Sequence, residues 1–256
     1  MTTSTFQGSS TKTKNLKQAY NCNKCKDKCY ILIDDLTARV CSCQEQKRIE
    51  RLFRGSQITP AFQGKTFKNF SEKKCTPAVL KMYLAAKAYT RDFNSLDEEE
   101  NNWLVFLGQP GAGKSHLSLA VGNTLIQKGV PVLYFQHVEG INEMKDIIRR
   151  DGEESIGEKT SEMKKVDFLI WDDLFKPLPG QKEVRPFEVQ IAFEVLNYRY
   201  LNLLPTAINS ERTPKELVTI DEATGSRIIE RGKGRMVVVE GLENNWRLKP
   251  CSKDHS

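Results

Sequence analysis

Eight consecutive residues constrain this chain more than any other feature: Gly108-Gln109-Pro110-Gly111-Ala112-Gly113-Lys114-Ser115. They match G-x-x-x-x-G-K-[ST], a loop whose backbone N–H groups point at phosphate oxygens, an approach that glycine permits because it has no Cβ. Such a loop belongs between a buried strand and the start of a helix, where free amides and the helix dipole favour an anion. The flanks supply both. WLVFL (103–107) reads as an apolar strand, and Leu117, Leu119, Ala120 and Leu125 give the next segment the apolar residues of a helix. Lys114 is expected to reach the β- and γ-phosphates and the Ser115 hydroxyl to hold Mg²⁺, with His116 completing the binding segment that begins at Gly108.

The rest of the chain from residue 77 alternates in the same way. Helices are predicted over 77–92, 139–150, 187–203 and 213–231, and strands over 103–107, 130–135, 166–171, 205–210 and 236–241, with an acidic loop near 151–158. Apolar strands separated by helices imply an α/β domain, a parallel five-stranded sheet covered on both faces. The second half of a phosphate site is an acid at the end of another buried strand. FLIW (168–171) runs into Asp172-Asp173, which supplies it. Asp172 is expected to bind Mg²⁺, and Asp173 to act as the base that polarises the attacking water. PTAINS (205–210) ends in Asn209 and Ser210, side chains able to orient water or the γ-phosphate. Arg227 and Arg231 stand four residues apart, on one helical face. One of them, with Arg231 placed first, could serve a neighbouring subunit's nucleotide as an arginine finger; the alternative is a surface salt bridge.

Charge and cysteine are both concentrated at the N-terminus. Residues 1–65 hold 12 Lys/Arg against 5 Asp/Glu, whereas 66–256 hold 27 against 28. The basic excess suits nucleic acid, an acidic protein surface, or simply a solvated tail. Five of the 7 cysteines lie between Cys22 and Cys43. Cys22-x2-Cys25 and Cys41-x-Cys43 flank YILIDDLTARV, which reads as a hairpin, so the two pairs can close on one tetrahedral zinc ion. Cys29 is a fifth candidate ligand; Cys75 and Cys251 read as ordinary thiols. The divisions expected are a disordered basic tail (1–19), a zinc module (20–54), a linker (55–76) and a nucleotide-binding domain (77–256). No apolar run approaches the ~18 residues needed to span a bilayer, and MTTSTFQGSSTKTKNLK has no apolar core for a secretory signal, so a cytoplasmic protein without membrane contact is expected.

Taken in order, CNKC…CSC, ITPAFQGKTFKNF, GQPGAGKSHLSLAV, FLIWDDL, FEVLNYRYLNLLPT, GSRIIERG and the closing NWRL resemble the AAA+ helicase loaders of the bacterial DnaC/DnaI type and their phage relatives, over residues 20–248. The resemblance implies an AAA+ P-loop domain without a C-terminal lid, preceded by a zinc module. It implies a weak ATPase that uses ATP, Mg²⁺ and Zn²⁺, self-associates when ATP-bound, binds the replicative DNA helicase and places it on single-stranded DNA. By position, Lys114 and Ser115 match the Walker A ligands, Asp172 the Walker B acid, Arg231 the finger, and Cys22, Cys25, Cys41 and Cys43 the zinc ligands. Asp173 stands where most AAA+ proteins have glutamate, Cys29 where relatives commonly have glycine, and Asn209-Ser210-Glu211 where relatives often read Thr-Ser-Asn. Without a lid arginine in cis, isolated turnover is expected to be slow. The resemblance further implies that the helix at 139–150 lines the inner surface of the assembly, where Lys145 and Arg149 could share a DNA-facing side. Two other functions fit the same residues: an IstB-like ATPase subunit of a transposition system, and a nucleotide-switched adaptor that hardly hydrolyses ATP.

Overall fold

The structure is a computed structural model that describes residues 20–34, 37–71, 75–98, 100–152, 156–176 and 183–248. The expected N-terminal tail, the tip of the hairpin, the middle of the acidic loop and Cys251 lie outside the described residues. The chain divides into two compact units, 1–47 and 48–256. In the first, β1 (Tyr30–Leu32) and β2 (Ala38–Val40) form the expected antiparallel hairpin, Tyr30 opposite Val40. The division falls inside helix α1 (Cys43–Gly55).

The second unit holds a five-stranded parallel sheet in the order β4-β5-β6-β3-β7. Its strands are β3 (Trp103–Gly108), β4 (Val132–Gln136), β5 (Phe168–Asp172), β6 (Thr206–Ser210) and β7 (Met236–Val239). Period-two alternation splits each strand between two cores. Leu104, Phe106 and Ile170 face a layer with α3 (Pro77–Asp92) and α4 (Lys114–Gln127); Trp103, Val105, Leu107, Leu169 and Trp171 face α5 (His137–Asp151), α6 (Gly157–Lys165) and α7 (Pro186–Leu201). Gly122 lets α4 lie close to β5: a Cβ there would stand 2.6 Å from the Ile170 side chain. Among the described residues no helical domain follows β7.

Three local features differ from the sequence reading. The helix expected over 213–231 is two, α8 (Pro214–Ile220) and α9 (Glu222–Arg231), because Asp221 is extended and its carboxylate caps Thr224 N–H at 2.8 Å. Helix α6 occupies the end of the expected acidic loop, buried through Thr160 and Met163. The segment read as a linker packs onto the sheet domain: Ile58 is buried, and Phe62, Phe67 and Phe70 pack against the α3/α4 core, with a short helix α2 (Pro60–Gln63) between them. Its Ser56 carbonyl accepts the Tyr134 N–H at 2.8 Å, covering the edge strand β4.

One buried cation closes the far end of the sheet. Arg199 of α7 has no solvent exposure and donates to the carbonyls of Met163, Lys164, Val166 and Pro205 and to the Thr206 hydroxyl, at 2.6–3.1 Å. It thereby joins the end of α6 to the entries of β5 and β6. Replacing it leaves those acceptors unpaired in a dry site, so Arg199→Met should destabilise the domain by about 3–5 kcal/mol in urea unfolding. A loss below about 1 kcal/mol would refute this role.

Candidate functional site

The phosphate loop leaves β3 and enters α4 as the sequence predicts. Gly113 adopts φ +94° at the helix start, where a Cβ would stand 2.8 Å from the Phe70 ring. The loop opens on a cavity of about 460 Å³ at the C-terminal ends of the strands. Ser115 and Asp172 both line it and touch: the Ser115 hydroxyl donates to Asp172 Oδ1 at 2.8 Å. Asn209 Nδ2 donates to the same oxygen at 2.8 Å, and Tyr134 Oη donates to Asp172 Oδ2 at 2.7 Å. Ser118 in turn orients Asn209 through its Oδ1 at 2.8 Å. Four elements therefore converge on one carboxylate, and a hydroxyl beside a carboxylate is a donor set suited to Mg²⁺.

Lys114 is buried and folds back on its own loop, donating to the Gly108 and Gln109 carbonyls at 2.7 and 2.8 Å. Burial pulls its pKa below the usual lysine value, while Glu211, Asp173 and Asp172 pull the other way. Asp173 lies in a left-handed backbone conformation, φ +55°, and pairs with Lys176 at 2.9 Å. Lys176 also holds Glu211 at 3.0 Å. Burial works against the Lys176 charge, yet its bonds to the two carboxylates keep its pKa raised.

The other expected residues take other places. Ala112 is fully buried. The His116 ring bonds the Thr66 carbonyl at 2.9 Å and meets Phe70 edge-on, so it fixes the 60–70 segment to the loop. Arg231 is buried away from the cavity, bonded to the Glu100 and Tyr200 carbonyls with its guanidinium 4.3 Å from the Tyr200 ring centre. Arg227 lies over Phe193 and Tyr200. Lys145 and Arg149 do not share a free cationic face, because Lys145 pairs with the buried Glu188 at 3.1 Å and Arg149 with Asp146 at 3.1 Å. Sequence reasoning missed Tyr134, Lys176 and Glu211, and missed that Phe62, Lys65, Trp246 and Arg247 also line the cavity.

In the first unit the sulfurs of Cys22, Cys25, Cys41 and Cys43 lie within 4.8 Å of one another. Tetrahedral zinc thiolate geometry calls for S···S separations of about 3.8 Å, so the donor set fits that ion. Within the crowded set the pull is uneven: backbone N–H groups at Cys25 and Lys24 lower the Cys22 thiol to about 6, while the hydrogen bond with Cys25, followed by burial, pushes the Cys43 thiol up. Cys29 lies outside the set. It sits at φ +64°, a conformation that favours glycine, donates its N–H to Cys25 Sγ at 3.3 Å, and takes a bond from Lys47 on its own sulfur.

Burial, followed by the charge of Asp173, raises the Asp172 pKa above the usual carboxylate range. The folded state thus binds this proton more tightly than the unfolded chain. Stability falls as pH rises from the usual carboxylate range through the raised value, and above it the nucleotide-free protein carries the cost of a buried charge. Asp172→Asn should therefore raise the melting temperature of the nucleotide-free protein at pH 7 and erase the extra stabilisation that Mg²⁺ adds to ATP. Thermal unfolding with and without Mg-ATP measures both, and a nucleotide-free variant that melts below the parent would contradict the argument.

Comparison with known proteins agrees with this architecture. The family model described as "IstB-like ATP binding protein" matches residues 16–253. The chain is 36% identical over 236 residues to the phage-like element PBSX protein XkdC of Bacillus subtilis, covering 90% of this chain and 87% of that protein. It is 25% identical over 209 residues to the replicative helicase loader DnaC of Escherichia coli, covering 81% and 79%. In fold it is similar to a crystal structure of the DnaC helicase loader, with a TM-score of 0.58 at 19% identity, over 71% of this chain and all of that one. A second, of DnaI, gives 0.52 at 20% identity over 74% and 95%. The phosphate loop, the acid-tipped neighbouring strand and a family match spanning nearly the whole chain have one reading: the chain belongs to the IstB-like ATP-binding proteins, on an AAA+ fold.

Proposed function

We propose that this chain is an ATP-dependent loader that binds a replicative DNA helicase and places it on single-stranded DNA. The observation that carries this reading is the four-sulfur cluster on the same chain as the nucleotide cavity. A phosphate loop alone serves loaders and transposition ATPases equally; an N-terminal cysteine module is what loaders of this type add. The similarity to DnaC supports the same choice.

In this reading Lys114 leaves the loop carbonyls for the β- and γ-phosphates, and Ser115 and Asp172 hold Mg²⁺, which supplies charge neutralisation on the phosphates when bound. Asp173 is the base for the attacking water, and its present partner Lys176 must yield for it to act. Asn209, fixed by Ser118 and Asp172, orients that water. In an ATP-bound assembly Arg231 serves the neighbouring subunit once it is released from its two carbonyls. Lys114, Asp173 and Arg231 are each engaged elsewhere in the isolated chain, so turnover should be slow alone and faster with helicase and single-stranded DNA. The cysteine module is the helicase-binding part.

Lys114→Ala should abolish ATP binding while the fold persists, since the side chain packs no core; wild-type affinity in a folded variant would refute the site. Zinc should co-purify at about one ion per chain. Replacing Cys22 and Cys25 together should unfold the module and abolish helicase capture, yet leave ATP binding unchanged. Metal analysis and a helicase pull-down, with and without ATP and single-stranded DNA, test the reading. A metal-free protein, or a double variant that still captures helicase, speaks against it.

A further inference from the structure

The last described segment, 242–248, turns back onto the phosphate loop. It forms two short 3-10 turns, Leu242–Asn244 and Trp246–Leu248, fixed at several points. Asn244 is buried and bonded to the Thr76 hydroxyl at the start of α3 and to the Glu240 carbonyl. Trp246 N–H donates to the Gly111 carbonyl, within the phosphate loop, at 3.0 Å. Asn245 occupies the space a Cβ on Gly111 would need, and its Oδ1 accepts Arg247 N–H at 3.0 Å. The strap is thus held in register by the loop itself.

This register carries Trp246 and Arg247 to the cavity that holds Lys114, Ser115 and Asp172. Two of the cavity's cations are already engaged: Lys114 on loop carbonyls and Lys176 between Asp173 and Glu211. Arg247 is exposed, and among the described residues its guanidinium has neither a hydrogen bond nor an ion pair. A permanently charged, planar group with five donors, set on a turn bonded to a phosphate-binding loop, matches the oxygens of a polyphosphate.

We propose that Arg247 binds the phosphate chain of the nucleotide in cis, from a C-terminal strap that takes part in the site. The inference rests on the nucleotide-binding reading above and adds to it a residue outside the loop and strand motifs.

Tryptophan fluorescence of the full chain tests it. Trp103 and Trp171 have no solvent exposure and belong to the core, so Trp246 is the indole that meets the ligand. Mg-ATP should change the emission, and Trp246→Phe should remove that change. Affinities for Mg-ATP, and for inorganic tripolyphosphate by displacement of a fluorescent nucleotide, are compared in the parent, Arg247→Ala, Arg247→Lys and Lys114→Ala. Loss of one charge-assisted contact should weaken both ligands about ten- to hundredfold in Arg247→Ala, with the melting temperature unchanged because the side chain is exposed. Lysine should restore part of the affinity. If Arg247→Ala binds ATP like the parent while Lys114→Ala does not, the nucleotide site stands and the role of Arg247 falls. Weaker ATP binding with unchanged tripolyphosphate binding places the arginine on the base or sugar and overturns the phosphate assignment. A parent protein that binds neither ligand refutes both readings.

Discussion

The carboxylate of Asp172 is the point on which the sheet's functional edge depends. It is nearly devoid of solvent, and a carboxylate in such surroundings is tolerable only with donors in place of water. Ser115, Asn209 and Tyr134 are those donors. They come from α4, β6 and β4, while the acid itself ends β5, so meeting its hydrogen-bond demand aligns three strand ends and a helix start. That alignment places the cavity at the C-terminal edge of a parallel sheet, the usual ligand position in open α/β folds. The same convergence brings Glu211 and Asp173 close enough to Lys114 to oppose what burial does to its charge.

What could be read from the sequence was what is local. The phosphate loop carries its ligand-binding geometry within eight residues, and the acid after a buried strand is visible because burial imposes an apolar run. The cysteine pairs were legible for the same reason, since a hairpin needs only a short register to bring both ends together. Tyr134 was not, because its partner lies 38 residues away on another strand and nothing in VLYFQ marks one tyrosine as a donor. Lys176 and Glu211 belong to two loops that meet only once the sheet is assembled. Asp221 shows a local signal outweighed by a longer pattern: the apolar period runs through it, while its side chain ends that period by capping the next helix.

The expected linker at 55–76 was misread for a different physical reason. Phe62, Phe67 and Phe70 follow neither a helical nor a strand period, so the stretch looks like a linker. Each ring nevertheless finds an aromatic partner, Phe62 on Tyr134, Phe67 and Phe70 both on Tyr83, and Phe70 also on His116. An irregular segment can wrap a surface without any periodicity of its own. The charged helix α5 shows the converse. Its regular spacing suggested a shared cationic face, but Lys145 is drawn to the buried Glu188 of α7, and tertiary pairing outweighs the helical net.

The cover over β4 also bears on how the chain is made. An unprotected edge strand is a template for wrong pairing, most of all while a sheet is incomplete. Here the Ser56 carbonyl that meets Tyr134 belongs to a segment translated well before the strand it shields. The ribosome therefore releases the guard ahead of the edge, and β4 can be capped before β5, its partner within the sheet, has been synthesised. The order of the chain itself acts as protection against misassembly.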